Sequence, residues 1–152
     1  MTLEQWSEKS SPSSTFSAQD MRGVSILSSR GVLLGKVAKV QIHLRSFKCM
    51  GIIAHLKLSG RLVYFGIDYI KTFSPQGVIL SIEPAYLLLR RRVITADGKV
   101  LGRVKEVRRI GTTNQIKELV VKALFRAPRI IASEDISSLA QSIILKEQYH
   151  DK

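Results

Sequence analysis

Residues 31–40 read Gly-Val-Leu-Leu-Gly-Lys-Val-Ala-Lys-Val, and residues 98–107 read Gly-Lys-Val-Leu-Gly-Arg-Val-Lys-Glu-Val. Five of the ten positions coincide: Gly31 with Gly98, Leu34 with Leu101, Gly35 with Gly102, Val37 with Val104 and Val40 with Val107. At the same offset Ile52-Ile53-Ala54 falls on Leu119-Val120-Val121. After small loop deletions Ile70 falls on Ile136, and Val78-Ile79-Leu80 on Ile143-Ile144-Leu145. One folding unit present twice accounts for every match. The chain divides accordingly into a tail (1–20), a first unit (21–84) and a second unit (85–152).

Within each copy the apolar residues recur with period two, the spacing of a half-buried strand. Ile52, Ala54, Leu56 and Leu58 are assigned to one face, with Leu119, Val121, Ala123 and Phe125 as their counterparts. Val40, Ile42 and Leu44 alternate likewise, but Val37 is out of phase with them, so a bulge is expected near Ala38. Gly31 and Gly98 stand between a short first strand (25–28; 93–96) and the second, where a turn needs positive φ. Gly35 and Gly102 fall inside the second strand, which points to a sharp coil or close approach of another backbone.

A fourth strand (62–66; 129–132) follows, then a short turn or single helical turn (68–73; 134–139), and a closing strand (78–82; 143–146). Asp68, Glu134 and Asp135 are read as caps of that turn. Five short strands in so few residues describe an all-β fold of two small barrels, open or closed. Units this small are marginal alone, so packing of the copies through Tyr86 to Leu89 is expected. Pro128 cannot donate a ladder hydrogen bond, which places the strand after it at its start or at an edge.

The tail differs in kind. Ser10 to Ser17 cannot bury enough apolar area to offset ordering and reads as disordered. Leu3 and Trp6 form an apolar pair that could dock as a helical turn on a partner or on the barrel itself, the competing reading being an unstructured N-terminus that contains a Trp.

The pattern of short strand, Gly, Leu-Gly-Lys/Arg-Val, Val, alternating strand, Asp68-Tyr69-Ile70 or Asp135-Ile136, and a closing apolar triplet resembles the PRC-barrel family. The resemblance covers nearly everything beyond the tail. It departs at Arg109, which stands where Ile42 does, and at Ala127-Pro128-Arg129. It implies a tandem PRC-type barrel protein that binds rather than catalyses. The layout is most similar to archaeal stand-alone tandem barrels that serve cell division by linking SepF and FtsZ machinery. A ribosome-associated role like that of RimM is the alternative it implies.

Charge bears on the partner. The chain carries 24 Lys and Arg against 12 Asp and Glu, a net +12, which favours encounter with anionic surfaces, whether RNA, acidic protein or lipid headgroups. Arg90-Arg91-Arg92 leads into the second copy, and Arg103, Lys105, Arg108 and Arg109 lie on or beside its long strand. With Trp6 these are the candidate partner-binding residues. Arginine grips carboxylate or phosphate with paired hydrogen bonds, and the competing reading is a solvated basic face.

No catalytic residue, cofactor or metal site is expected. Asp68 with His55, or Asp97 with a serine, lack an accompanying phosphate loop or nucleophile motif. Cys49 is the single cysteine, and His43, His55 and His150 show no metal-ligand spacing. No apolar run suffices for a membrane span and the first residues do not read as a secretory signal, so a cytoplasmic protein is expected. Homo- or hetero-oligomers through barrel packing or strand edges are a further expectation.

Overall fold

The computed structural model describes residues 3–150, so the outermost two residues of the tail and of the second unit lie outside the described residues. Two units, Met1–Glu83 and Pro84–Lys152, each contain one six-stranded sheet. In the first, β1 (Ser25–Leu27), β2 (Leu33–Ile42), β3 (Cys49–Leu56), β4 (Leu62–Gly66), β5 (Ile70–Ser74) and β6 (Gly77–Leu80) pair in the order β4-β3-β2-β1-β6-β5. In the second, β7 (Arg92–Ile94), β8 (Val100–Arg109), β9 (Ile116–Lys122), β10 (Arg129–Ala132), β11 (Ile136–Leu139) and β12 (Ser142–Leu145) pair as β10-β9-β8-β7-β12-β11. The second order is the first repeated strand for strand, which is the duplication legible in the sequence. The fold is all-β and tandem.

Neither ladder closes on itself. Among the described residues no pairing joins β4 to β5 or β10 to β11, so each unit is a curled sheet with two edges rather than a closed barrel. What crosses that gap is one 3-10 turn, Ile67–Tyr69 or Ser133–Asp135. Only this turn is helical. The residues read as the rest of the turn form β5 and β11, giving six strands in each unit where five were expected. The capping assignment also fails, because Gly66 and Ala132 occupy the N-cap positions and no side chain caps either turn. Asp68, Glu134 and Asp135 sit inside the first turn, beyond the capping position.

The register explains the long second strands. β2 shifts against β3 between Val37 and Lys39, placing the bulge at Ala38, and again between Gln41 and Ile42. β8 shifts against β9 at the equivalent places, between Val104 and Glu106 and between Arg108 and Arg109. Val37 is consequently buried, whereas Ile42 and Leu44, past the second shift, are exposed instead of inward. The expected inward set of β3 holds for Ile52, Ala54 and Leu56. In β9 it holds for Leu119 and Val121 but fails at Phe125, which is fully exposed in the turn after the strand, at φ 59°.

Gly31 and Gly98 adopt φ 83° and 92° with open space around them. At Gly35 and Gly102 a Cβ would collide with the backbone carbonyls of His55 and Lys122 on the facing strand. These are the two roles assigned to glycine from the sequence, turn and close approach.

The core of the first unit comprises Met21, Ile26, Leu34, Val37, Ile52, Ala54, Leu56, Phe65, Val78 and Leu80. That of the second comprises Leu88, Val93, Leu101, Val104, Leu119, Val121, Ile131, Ile143 and Leu145, with Leu89 packed against it. Leu88 and Leu89, from the run Tyr86 to Leu89, are part of the second unit's core. Residues 3–16 form no strand and are exposed. Within them Pro12–Ser14 forms a 3-10 turn capped by Ser11, and Phe16 packs against Phe73 at 5.4 Å between ring centres. Ser17 with Asp20 then forms a capping box on the 3-10 turn that buries Met21.

Candidate functional site

Four of the candidate arginines surround one hollow. Arg90, Arg91, Arg92 and Arg103, with Leu89, Gln141 and Ser142, line a surface depression of about 360 Å³ on the second unit. The sequence brings them there by two routes. Arg90 and Arg91 follow the 3-10 turn Ala85–Leu88, and Arg90 takes φ 69°, which turns the chain into β7. Arg92 begins β7 and is register partner of Arg103 on β8, which in turn is partner of Lys122 on β9. Three cations therefore form a row across three adjacent strands, all with exposed side chains.

Two of the guanidinium groups are anchored. Arg103 donates from Nη1 to the Arg90 carbonyl at 3.0 Å, and Arg91 donates from Nη1 to the Ala140 carbonyl at 2.5 Å. A guanidinium has five N–H donors, so each anchored group keeps donors for a ligand while its position is fixed. No ion pair is found for Arg90, Arg91, Arg92, Arg103 or Lys122 among the described residues. The hollow is thus an arginine-lined concavity without a carboxylate of its own. It suits an anion with several oxygens, because planar donor forks match carboxylate or phosphate.

The remaining candidates are placed elsewhere. Arg108 bonds Glu106 at 2.9 Å and Glu118 at 2.8 Å, so its charge is met within the sheet. The hydrogen bonds that Arg108 donates, to Glu118 first and then to Glu106, raise its guanidinium above its already high value. Arg109 donates to the Thr113 carbonyl in its own hairpin, and Lys105 sits exposed at the bulge. Trp6 is 88% exposed, its indole N–H donating to Glu4. Sequence proximity grouped seven basic residues, but position along the sheet and local partners separate them. Arg108 shares the face of Arg103, since their register partners Glu118 and Lys122 lie on one side of β9, yet it sits further along the strand and is held by Glu118 and Glu106. Lys122, the end of the row, went unnoticed. Its signal was the strand alternation that leaves it outward after Val121.

A larger hollow, about 580 Å³, is lined by Thr95, Ala96, Asp97, Lys99, Lys146, Glu147, Tyr149 and His150. It carries both signs of charge. The Thr95 hydroxyl bonds the Asp97 carboxylate and holds it below the usual range, so an anion there meets a fixed negative charge. Among the described residues no group of three or more His, Cys, Asp or Glu is placed to hold a metal ion, and no helix is long and apolar enough to cross a membrane.

No protein-family model matches the chain, and no curated protein matches it. Among solved structures it is similar to that of the 16S ribosomal RNA processing protein RimM of Pseudomonas aeruginosa, at 12% sequence identity and a TM-score of 0.33. The match covers 84% of this chain and 78% of that one.

Proposed function

We propose that this protein is a non-enzymatic adaptor of the cytoplasm whose second unit grips carboxylates of an acidic protein segment. The observation that carries the reading is the hollow in which Arg90, Arg91, Arg92 and Arg103 converge, two of them anchored by backbone carbonyls. A protein ligand is favoured over RNA by what lines the hollow. Single-stranded RNA is held by stacking on aromatic side chains as well as by charge, and no aromatic lines this depression. The likeness of the repeat to PRC-barrel adaptors makes acidic segments of SepF- or FtsZ-type division proteins the first partners to try.

The test is a pair of titrations of the whole chain, with a fluorescent Glu/Asp-rich peptide and with a single-stranded RNA of matched charge. Tighter peptide binding, weakened at least tenfold by Arg92→Ala with Arg103→Ala but less than threefold by Arg108→Ala, supports the reading. Tighter RNA binding that falls equally in both variants overturns it and favours a ribosome-associated role.

A further inference from the structure

The first unit carries a feature that the arginine hollow does not explain, at the tip of the β2–β3 hairpin. Leu44 is 91% exposed and Phe47 80%, with Ile42 and Met50 also exposed at its base. Large apolar side chains at the end of a hairpin are ordinarily a cost, and here they are held out by a built turn. The His43 N–H donates to the Lys48 carbonyl and the Phe47 N–H to the His43 carbonyl, both at 2.9 Å. The His43 side chain then accepts on Nδ1 from the Arg45 and Ser46 N–H groups, at 3.3 and 3.1 Å. Phe47 adopts φ 56°, a conformation unusual for a bulky residue and shared with Phe125 in the β9–β10 turn.

The duplication supplies an internal control. The matching β8–β9 tip is closed by the same kind of bond, from the Ile110 N–H to the Gln115 carbonyl. There Gly111 replaces Leu44 and Asn114 replaces Phe47, and Asn114 accepts from the Ala85 N–H within its own unit. The fold therefore closes this tip with neither Leu44 nor Phe47, only Ile110 being half-exposed at its base. Exposed Leu124 and Phe125 stand in the β9–β10 turn of the second unit, so what is particular to the first is the apolar pair at the β2–β3 tip itself.

Charge identifies the ligand surface. Arg45 and Lys48 flank the two apolar side chains, and residues 21–67 contain eight Lys and Arg with no Asp or Glu. Exposed apolar side chains rimmed by cations, with no carboxylate in residues 21–67, fit a layer that is apolar below and anionic at its face. We infer that the β2–β3 tip is a membrane-docking wedge: Leu44 and Phe47 enter the acyl boundary of an anionic lipid surface while Arg45 and Lys48 meet the lipid phosphates. Interfacial insertion of this kind combines buried apolar area with attraction to anionic headgroups. It is independent of the arginine hollow.

The test places a lone indole at the tip of the whole chain by Phe47→Trp in a Trp6→Phe background. Vesicles of phosphatidylglycerol and phosphatidylcholine carrying brominated acyl chains should quench that indole. An indole placed by Thr112→Trp in the same background, on the equivalent tip, should stay unquenched. Leu44→Ser with Phe47→Ser should lower partitioning onto anionic vesicles at least tenfold with an unchanged circular dichroism spectrum, and Arg92→Ala with Arg103→Ala should leave quenching at the first tip intact. A net +12 chain will adsorb to anionic vesicles by charge alone. Adsorption without quenching of the Phe47→Trp indole, or partitioning reduced less than twofold by the double serine variant, overturns the inference. So does capture of a protein on this tip with no insertion into vesicles.

Discussion

Arg92 on β7 and Arg103 on β8 stand directly opposite each other across an antiparallel ladder, both exposed. A cross-strand pair is worth roughly 0.2–1 kcal/mol, and like charges carry the unfavourable sign. The site is therefore held at the expense of the sheet. Arg92→Gln is expected to raise the thermal midpoint by about 1–8 °C at low salt, on the usual scaling for a small domain, while acidic-peptide affinity falls about tenfold. Calorimetry beside a binding titration checks both. The gain should shrink in molar salt, where exposed charges are screened, and a lowered midpoint would show that the pair is not a repulsive one.

Gly35 and Gly102 stand against facing carbonyls that cannot retreat without breaking the ladder. Gly35→Ala is expected to destabilise by about 1–3 kcal/mol, the usual cost of forcing extra volume into a packed site. Gly31→Ala, with open space but φ 83°, should cost about 1 kcal/mol through backbone strain alone. Denaturant midpoints of the two variants order them, and the reverse order would contradict the close approach.

Glu83 accepts from the Ser29 hydroxyl at 2.7 Å and the Arg30 N–H at 2.9 Å. Burial pushes its carboxyl up, but hydrogen bonds from Ser28, Ser29 and the Arg30 backbone, with the Arg30 charge, together hold it below the ordinary value near 4.5. The folded state thus binds that proton less readily than the unfolded chain. Its contribution is complete above pH 4.5 and is lost as pH falls through the lower folded value. Unfolding midpoints of the wild type should drop more steeply on acidification than those of Glu83→Gln, and parallel curves would refute this.

Tyr86 gives the opposite dependence. Burial raises its phenol from about 10 to about 12, so the folded state keeps the proton longer. Stability from this group is present below pH 10 and is lost as pH climbs toward 12. Urea midpoints across that interval should fall less in Tyr86→Phe than in the wild type, and ultraviolet titration should show one late phenol that the variant lacks.

The strands that bury alternate residues were readable because alternation is a local signal. So were the Ala38 bulge, from Val37 and Val40 being out of phase, and the edge position of β10, from Pro128. Phe125 was misplaced because alternation was extended beyond the point where β9 ends, and chain reversal is set by backbone geometry rather than by hydrophobicity. The arginine hollow was half legible. Arg90 to Arg92 are contiguous, and the nearness of Arg103 required a register that only pairing fixes. The pairing of Arg108 with Glu118 lies across strands and leaves no trace in residue order.

β1 runs parallel to β6, with Ile26 beside Val78. An antiparallel neighbour such as β2 is reached by a short hairpin, but this partner emerges about fifty residues later in synthesis. Contacts so distant along the chain must recover the entropy of a long closure before they contribute, and they slow folding. Until Val78 leaves the ribosome one flank of β1 has no companion strand, and its backbone groups stay unpaired on that side.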